Sequence, residues 1–366
     1  MTSLIYSPNA LAQGHRVEQK YRGIFDSTVL PQRGIVDAGG AFLSSELELI
    51  DPQLHLPLSW TTFAQDIEPR QGFTIDTEFP SWTNSTFGSN GTTDAGGKSW
   101  LGLEATDTSD MAIDIMKQVN TPGIWAKSAS WTYPELSRSQ KLQRPIDVDK
   151  LDAIQKYWNL EMDNQAYLGD PSKNLYGIAN ASPTDGNTAD WAVQQITAAV
   201  TGGWLALYAS NPTTAANLIL NDLRDLDQKI WSNSQFTSPA TKFLIPASVW
   251  SILNVPLAIA GAPLAISIKE YFEKFASISG SQGNRCQLVP RKWLVSGFGS
   301  NTYGNSLSSN RVVGYVDEYD YIRFEYTPLI NTPVWIQGMR QSVTYYGNVG
   351  GVEIVYPSTV GYITGV

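Results

Sequence analysis

Between Asp147 and Gly169 the apolar side chains Leu151, Ile154, Trp158, Met162 and Ala166 step by three and four residues, which predicts one long amphipathic helix over 147–168. Both ends carry signals. Pro145 and Asp147 open it, and Asp149 and Asp152 place negative charge where the helix dipole favours it. Gly169 followed by Asp170-Pro171 stops it. At a rise of about 1.5 Å per residue this is a rod of roughly 33 Å. Polar, extended sequence precedes it and a compact α/β pattern follows it, so it reads as a spine.

Ahead of the spine the period is two. Phe73, Ile75, Thr77 and Phe79 oppose Thr74, Asp76 and Glu78, predicting a half-buried strand within Phe63–Phe79. The stretch PSWTNSTFGSNGTTDAGGKSW has no period, and Trp100–Leu103 resumes an extended pattern. Two strands on a long polar connection make a projecting hairpin. An isolated hairpin is marginal in water, so this one is expected to lie on another chain. Met111, Ile113 and Ile115 alternate again, as do Trp125, Lys127, Ala129 and Trp131 beyond a turn at Thr121-Pro122-Gly123, predicting a second strand pair. Residues 1–40 are polar and glycine-punctuated with no period, and 41–58 hold a short helical pattern at Phe42, Leu43, Leu47 and Ile50. An arm of that composition takes shape only against a neighbour.

Beyond the spine, a loop leads to a helix beginning near Ala189 and a second over Thr213–Trp231, with Leu218, Ile219, Leu223, Leu226 and Ile230 on one face. Lys242–Ile245 reads as a buried strand, Pro246–Leu253 as a short helix opened by proline, Ser267–Ala276 as another helix and Gln287–Val295 as a strand. Closing strands are predicted over Arg311–Asp317, Tyr321–Tyr326, Val334–Tyr345 and Val352–Tyr356.

Composition narrows the function classes. A hydrophobic fraction of 42% with 12 tryptophans sustains a core, while charged residues make up only 16%, a balance that favours broad contact with further copies of the chain. The net charge of −9 is uneven: residues 1–110 hold 14 acids and 6 bases, and the remainder 20 acids and 19 bases. With no basic cluster, the chain is not expected to grip nucleic acid through its phosphates. Cys286 is the only cysteine, which excludes a disulfide framework and reads as a small buried hydrophobe. MTSLIYSPN lacks the pattern of a secretory signal, so synthesis is expected in the cytosol and the sequons at Asn84 and Asn90 are expected to stay unmodified. No apolar run reaches the roughly 18 residues of a membrane span.

Catalytic chemistry finds little to use. His15 and His55 are the only histidines, both in the arm, and HExxH, CxxC and GxSxG are absent. Ser296–Gly304 fits neither phosphate-binding glycine loop. Asp66/Glu68 and Asp76/Glu78 have strand spacing and read as solvated charges on outer faces. Asp317, Glu318 and Asp320 supply hard oxygens of the kind calcium takes, and read first as an acidic turn. No catalytic, cofactor or metal residue is assigned.

The order of parts carries more than any motif. The segments FLSSELELIDPQL (Phe42–Leu54), AYLGDPSKNLYGIANA (Ala166–Ala181), a tryptophan-led stretch at Trp191, PATKFLIPASVWSIL (Pro239–Leu253), GYVDEYDYIRFEYTPL and GGVEIVYPSTVGYITG occur in sequence. Together they resemble the major capsid proteins of tailed bacteriophages, with the Hong Kong 97-like fold. The resemblance implies an α+β chain with an N-terminal arm (1–62), an extension loop (63–105), a peripheral domain (106–185) holding the spine, an axial α/β domain (186–317) and strands returning to the peripheral domain (318–366). It implies pentamers and hexamers tiling an icosahedral head around packaged double-stranded DNA that is enclosed but not specifically bound. Assembly would take place in the host bacterial cytoplasm, with scaffolding, portal and decoration proteins as further partners and no membrane. Trp82, Phe87 and Trp100 are the expected aromatic anchors between subunits. Lys98 is the one lysine near the loop tip, the position through which some members cross-link, although no partner for it is identified. Two rivals are an encapsulin-like compartment shell and a secreted, carbohydrate-active β-rich protein.

Overall fold

The computed structural model describes residues 60–90, 110–141, 146–180, 194–197, 202–259, 262–300 and 305–366. Residues 1–59 of the arm, with the predicted helix of 41–58 and both histidines, and Lys98 and Trp100 lie outside them. A short helix α1 (Phe63–Asp66) comes first, then strands β1 (Ser81–Asn90) and β2 (Asp110–Val119), then β3 (Gly123–Thr132). Helices α2 (Tyr133–Lys141) and α3 (Ile146–Leu168) follow, and the small pair β4 (Gly169–Asp170) and β5 (Leu175–Tyr176) closes this half. Next come β6 (Gln194–Thr197), α4 (Gly203–Ser210), α5 (Pro212–Asn233), β7 (Lys242–Pro246), the hairpin β8 (Pro256–Ile259) and β9 (Ala262–Ser267), α6 (Ile268–Tyr271), α7 (Ile278–Ser281) and β10 (Gln287–Arg291). The chain finishes with β11 (Arg311–Tyr315), β12 (Ile322–Tyr326), β13 (Ile330–Asn331), β14 (Trp335–Gln337), β15 (Arg340–Ile354) and β16 (Val360–Thr364).

The spine is the predicted one. On α3, Ile154, Trp158, Met162 and Ala166 are buried along one stripe. Its stop is Gly169, at φ +66°, where an added Cβ would come within 2.3 Å of the Leu175 carbonyl oxygen, so both the left-handed turn and the close return of β5 require glycine. The spine packs against a sheet ordered β12-β15-β13, with β3 and β14 also pairing with β15.

A second sheet runs β10-β7-β11-β16-β6. One face meets α5, where Ile219, Leu223, Leu226 and Ile230 pack on Phe243, Val312 and Ile363. The opposite face, with Leu244, Val313, Tyr315 and Tyr362, joins Trp158 and Met162 of the spine and Phe324 and Val352 of the first sheet in one core. The regions before and after residue 186 therefore share an interior within the unit Ser59–Val366.

Several expectations shift. Phe63–Phe79 is not a strand. It is α1 followed by turns, because it has only a single bridge, Pro69 to Phe324, in place of a ladder. The hairpin exists but is built from later residues: Ser81 pairs with Val119 and Asn90 with Asp110. Consequently β2 and β3 do not pair with each other, and β3 lies along β15 instead. The helix expected near Ala189 gives way to β6 at 194–197, with α4 starting only at Gly203. Gly338, at φ +59°, splits the strand predicted over Val334–Tyr345, while β15 runs unbroken into the residues predicted as a separate strand. The strands after residue 318 also divide. β12 to β15 form the sheet on the spine, but β16 pairs with β11 and β6 in the other. β16 is apolar on both faces and buried over Val360–Tyr362, which suits a central strand.

Candidate intersubunit surface

The β1–β2 hairpin is held at its root by charge. Arg70 Nη2 donates to the Ser81 carbonyl at 2.9 Å, where β1 begins. Its Nη1 donates to Glu325 Oε1 at 2.9 Å and also bonds Glu353, which Arg323 bonds from the other side. Just past β2, Asn120 Nδ2 donates to Glu325 Oε2 at 3.3 Å. Both glutamate side chains are fully buried. Burial pushes the Glu325 carboxyl up to about 7, against the hydrogen bond from Asn120 and the charges of Arg70 and Arg323. Burial likewise lowers Arg70 from its ordinary value.

Beyond the root the two faces of the hairpin differ. Trp82 and Asn84 of β1 turn toward the body: Trp82 sits in the core beside Phe63 and Phe324, and Asn84 Nδ2 donates to the Val355 carbonyl at 3.0 Å. Thr83, Ser85 and Phe87 turn away and are exposed. Phe87 stands opposite Ile113 and Ser85 opposite Ile115, so that Phe87, Ile113, Ile115 and Val119 share one face, each between 49% and 69% exposed. Such an apolar strip on a projecting element marks a contact surface. Further exposed apolar side chains lie on the β14–β15 ribbon, where Trp335, Ile336 and Met339 are all more than half exposed.

A buried cluster fixes the frame behind the hairpin. Asp66 accepts Arg291 Nη2 at 2.6 Å, bonds Arg291 Nε and the Tyr167 hydroxyl, and lies 3.3 Å from Lys242 Nζ. Tyr315 donates to the Asp66 carbonyl at 2.7 Å. Burial works hardest against the Arg291 charge, but the hydrogen bonds to Asp66 together with the charges of Tyr167, Asp66 and Tyr315 outweigh it and raise the guanidinium above its ordinary value. Burial, then the Asp66 charge, raises the Tyr167 hydroxyl. Asp163 on the spine accepts the Thr62 and Phe63 amides at 2.8 and 3.0 Å and Trp293 Nε1 at 2.6 Å. Together these groups bolt α1 to the spine and to the second sheet.

Of the four residues expected to meet neighbours, Phe87 is presented outward. Trp82 is not, because its side of β1 faces the subunit's own core and leaves it 5% exposed. Lys98 and Trp100 lie outside the described residues. Asp66, expected on a solvated face, is 1% exposed, a consequence of α1 replacing the strand. Asp317 takes Lys242 Nζ at 3.0 Å, so a cation of the chain itself sits on that acidic turn, and among the described residues no cluster of three metal-ligating side chains occurs. Burial pushes the Cys286 thiol up to about 12. Ile113 and Ile115 were visible as an alternation, but only the pairing of β1 with β2 shows which way they face.

Comparisons agree with this architecture. The structure is similar to the capsid of Myoviridae phage XM1, with a TM-score of 0.67 at 16% identity over 90% of this chain and all of that one. It is also similar to the capsid of a native GTA particle (TM-score 0.55, 10% identity, 91% and 100% covered) and to a structure from Mycobacterium phage Ogopogo (0.51, 11%, 89% and 99%). No curated protein matches the chain. The family model described as major capsid protein matches residues 96–366, most of the sequence, and the chain therefore belongs to the major capsid protein family.

Proposed function

We propose that copies of this chain assemble as pentamers and hexamers into an icosahedral phage head of the Hong Kong 97-like kind, enclosing double-stranded DNA. The observation that carries the assembly is the outward face of the hairpin. Phe87, Ile113 and Ile115 form an apolar strip that nothing in the described part of the subunit covers, and a neighbouring copy removes it from water. In this reading β1 and β2 are the extension loop, α3 and the β3–β15 sheet the peripheral part, and the α5 layer with its sheet the axial part. The role is structural rather than enzymatic. A net charge of −9 suits a wall that contains DNA without binding it tightly. Scaffolding, portal and decoration proteins are the further partners of such a shell, and its site of assembly is the host cytoplasm.

Electron microscopy of the expressed, purified chain tests the proposal. Closed icosahedral particles with fivefold and sixfold clusters are expected. A stable monomer at micromolar concentration would refute it, and a small shell loaded with enzyme cargo would favour a compartment instead. Denaturing gels of particles are expected to show a single band of the intact chain, and a ladder of multiples would assign Lys98 or another group a covalent role.

A further inference from the structure

Among the described residues, the pairing pattern shows which main-chain groups two of the strands leave open. The Tyr133 amide donates to the Met339 carbonyl at 3.1 Å, next in register to Thr132 opposite Arg340, so odd-numbered residues of β3 bond inward to β15. Even-numbered residues point their N–H and C=O groups outward. At one end the spine already uses this edge, since Lys150 Nζ donates to the Ser130 carbonyl at 2.9 Å. Ile124, Ala126 and Ser128 remain, and all three are exposed. On the hairpin, the Asn120 amide donates to the Pro80 carbonyl at 3.0 Å, so even-numbered residues of β1 bond to β2 and odd-numbered ones face out. Arg70 occupies the first of these, at Ser81, and Thr83, Ser85 and Phe87 are exposed beyond it.

Long open edges invite strand addition, and chains normally guard them with lysine, proline, a bulge or a covering segment. β10 carries Pro290, and β12 is covered by the Glu68–Arg70 segment. The outer edge of β2 carries Lys117 among its outward residues. Among the described residues the open parts of β3 and β1 have no such guard: Ile124, Ala126 and Ser128 are uncharged, and β1 has no charged residue from Ser81 to Asn90.

We infer that the outer edge of β1 in one subunit adds as a strand to the outer edge of β3 in a neighbouring copy, joining the hairpin to the neighbour's β3–β15 sheet by main-chain hydrogen bonds. This rests on the shell reading for the identity of the partner. Three outward residues on each edge supply about six such bonds if the strands run antiparallel. Main-chain pairing makes the contact insensitive to side-chain identity on β1, in keeping with its Ser, Thr and Asn content.

Proline at Ala126 removes an outward amide and leaves the β15 ladder intact. Ala126→Pro and, separately, Ser128→Lys are compared with the unaltered chain by thermal unfolding and by the concentration at which particles form. Both variants are expected to unfold within a few degrees of the unaltered chain and to need at least tenfold more protein to assemble. Ser128→Lys decides the matter if Ala126→Pro fails to fold. In addition, Ala126→Cys is combined in turn with a cysteine at Thr83, Ser85 or Phe87, and oxidised particles of at least one pair are expected to run as covalent multiples. If the unaltered chain forms shells, the edge variants assemble at the same concentration and no cysteine pair links, the strand addition is wrong while the shell stands. If the unaltered chain forms no particle, the shell reading itself fails.

Discussion

Asp66 shows how much one side chain can hold in this molecule. It lies 1% exposed between Arg291, Lys242 and Tyr167, and links α1, the spine and the second sheet. Asp66→Asn keeps the shape but leaves a buried guanidinium without its counter-charge, and is expected to cost about 3–5 kcal/mol in urea unfolding. A loss below about 1 kcal/mol would mean that water or a neighbouring acid takes over. Gly347 is demanding for a steric reason. A Cβ there would sit 2.6 Å from the Trp158 ring, where the spine rests on β15. Gly347→Ala is expected to destabilise by about 1–3 kcal/mol, measured the same way.

At the scale of elements, the hairpin root is the part whose behaviour depends on pH. Glu325 is raised by burial from an ordinary 4.5 to about 7, and it receives Asn120 from the end of β2 and Arg70 from the segment before β1. Because the folded value lies above the unfolded one, the contribution of this group is fully present below about 4.5 and is lost as pH rises through about 7. Asp227, raised to about 6 chiefly by burial, acts in the same direction, so only a difference between variants isolates Glu325. Between pH 5 and pH 8 the stability of the unaltered chain is expected to fall more than that of Glu325→Gln, by up to about 3 kcal/mol. Denaturant titrations at several pH values check this, and parallel curves for the two chains would show that Glu325 does not titrate in that window.

The whole molecule is a subunit with a well-filled interior and an unfinished outside. Ile115 is 66% exposed, so Ile115→Lys is expected to change the unfolding free energy by less than about 0.5 kcal/mol while preventing particle formation. Light scattering and electron microscopy at matched concentrations separate the two effects. Normal particles from this variant would move the contact off the outward face of the hairpin. The shared core argues further that the parts around residue 186 unfold together. Tyr362 from the last strand and Trp158 from the spine lie in one cluster, and a single transition by circular dichroism and tryptophan fluorescence is expected.

Much of this was legible along the chain because it is local. The spine, with its stripe and its Gly169 stop, and the apolar faces of α5 and β7 follow from side-chain spacing and backbone freedom over a few residues. The hairpin was legible in kind but not in place. Trp82 and Phe87 lie on opposite faces of β1, so no single period joins them, and the alternation of Phe73–Phe79 imitates a strand that has no partner. For the same reason the spacing did not show that Trp82 turns into the subunit's own core.

Strand pairing is a long-range choice. β3 lies with β15 rather than β2, and β16 leaves the other closing strands to sit beside β11, because each buries its faces and satisfies its main chain there. The charge clusters at Asp66 and Glu325 arise from residues separated by up to 283 positions, so no spacing could announce them. The amino-acid order by itself determined the long helix and how it ends, the apolar faces of α5 and β7, and that acid outweighs base. Only the tertiary structure decided which strands meet, which acids are buried and which face of the hairpin is left exposed, since those outcomes depend on contacts that exist only once distant parts of the chain have been brought together.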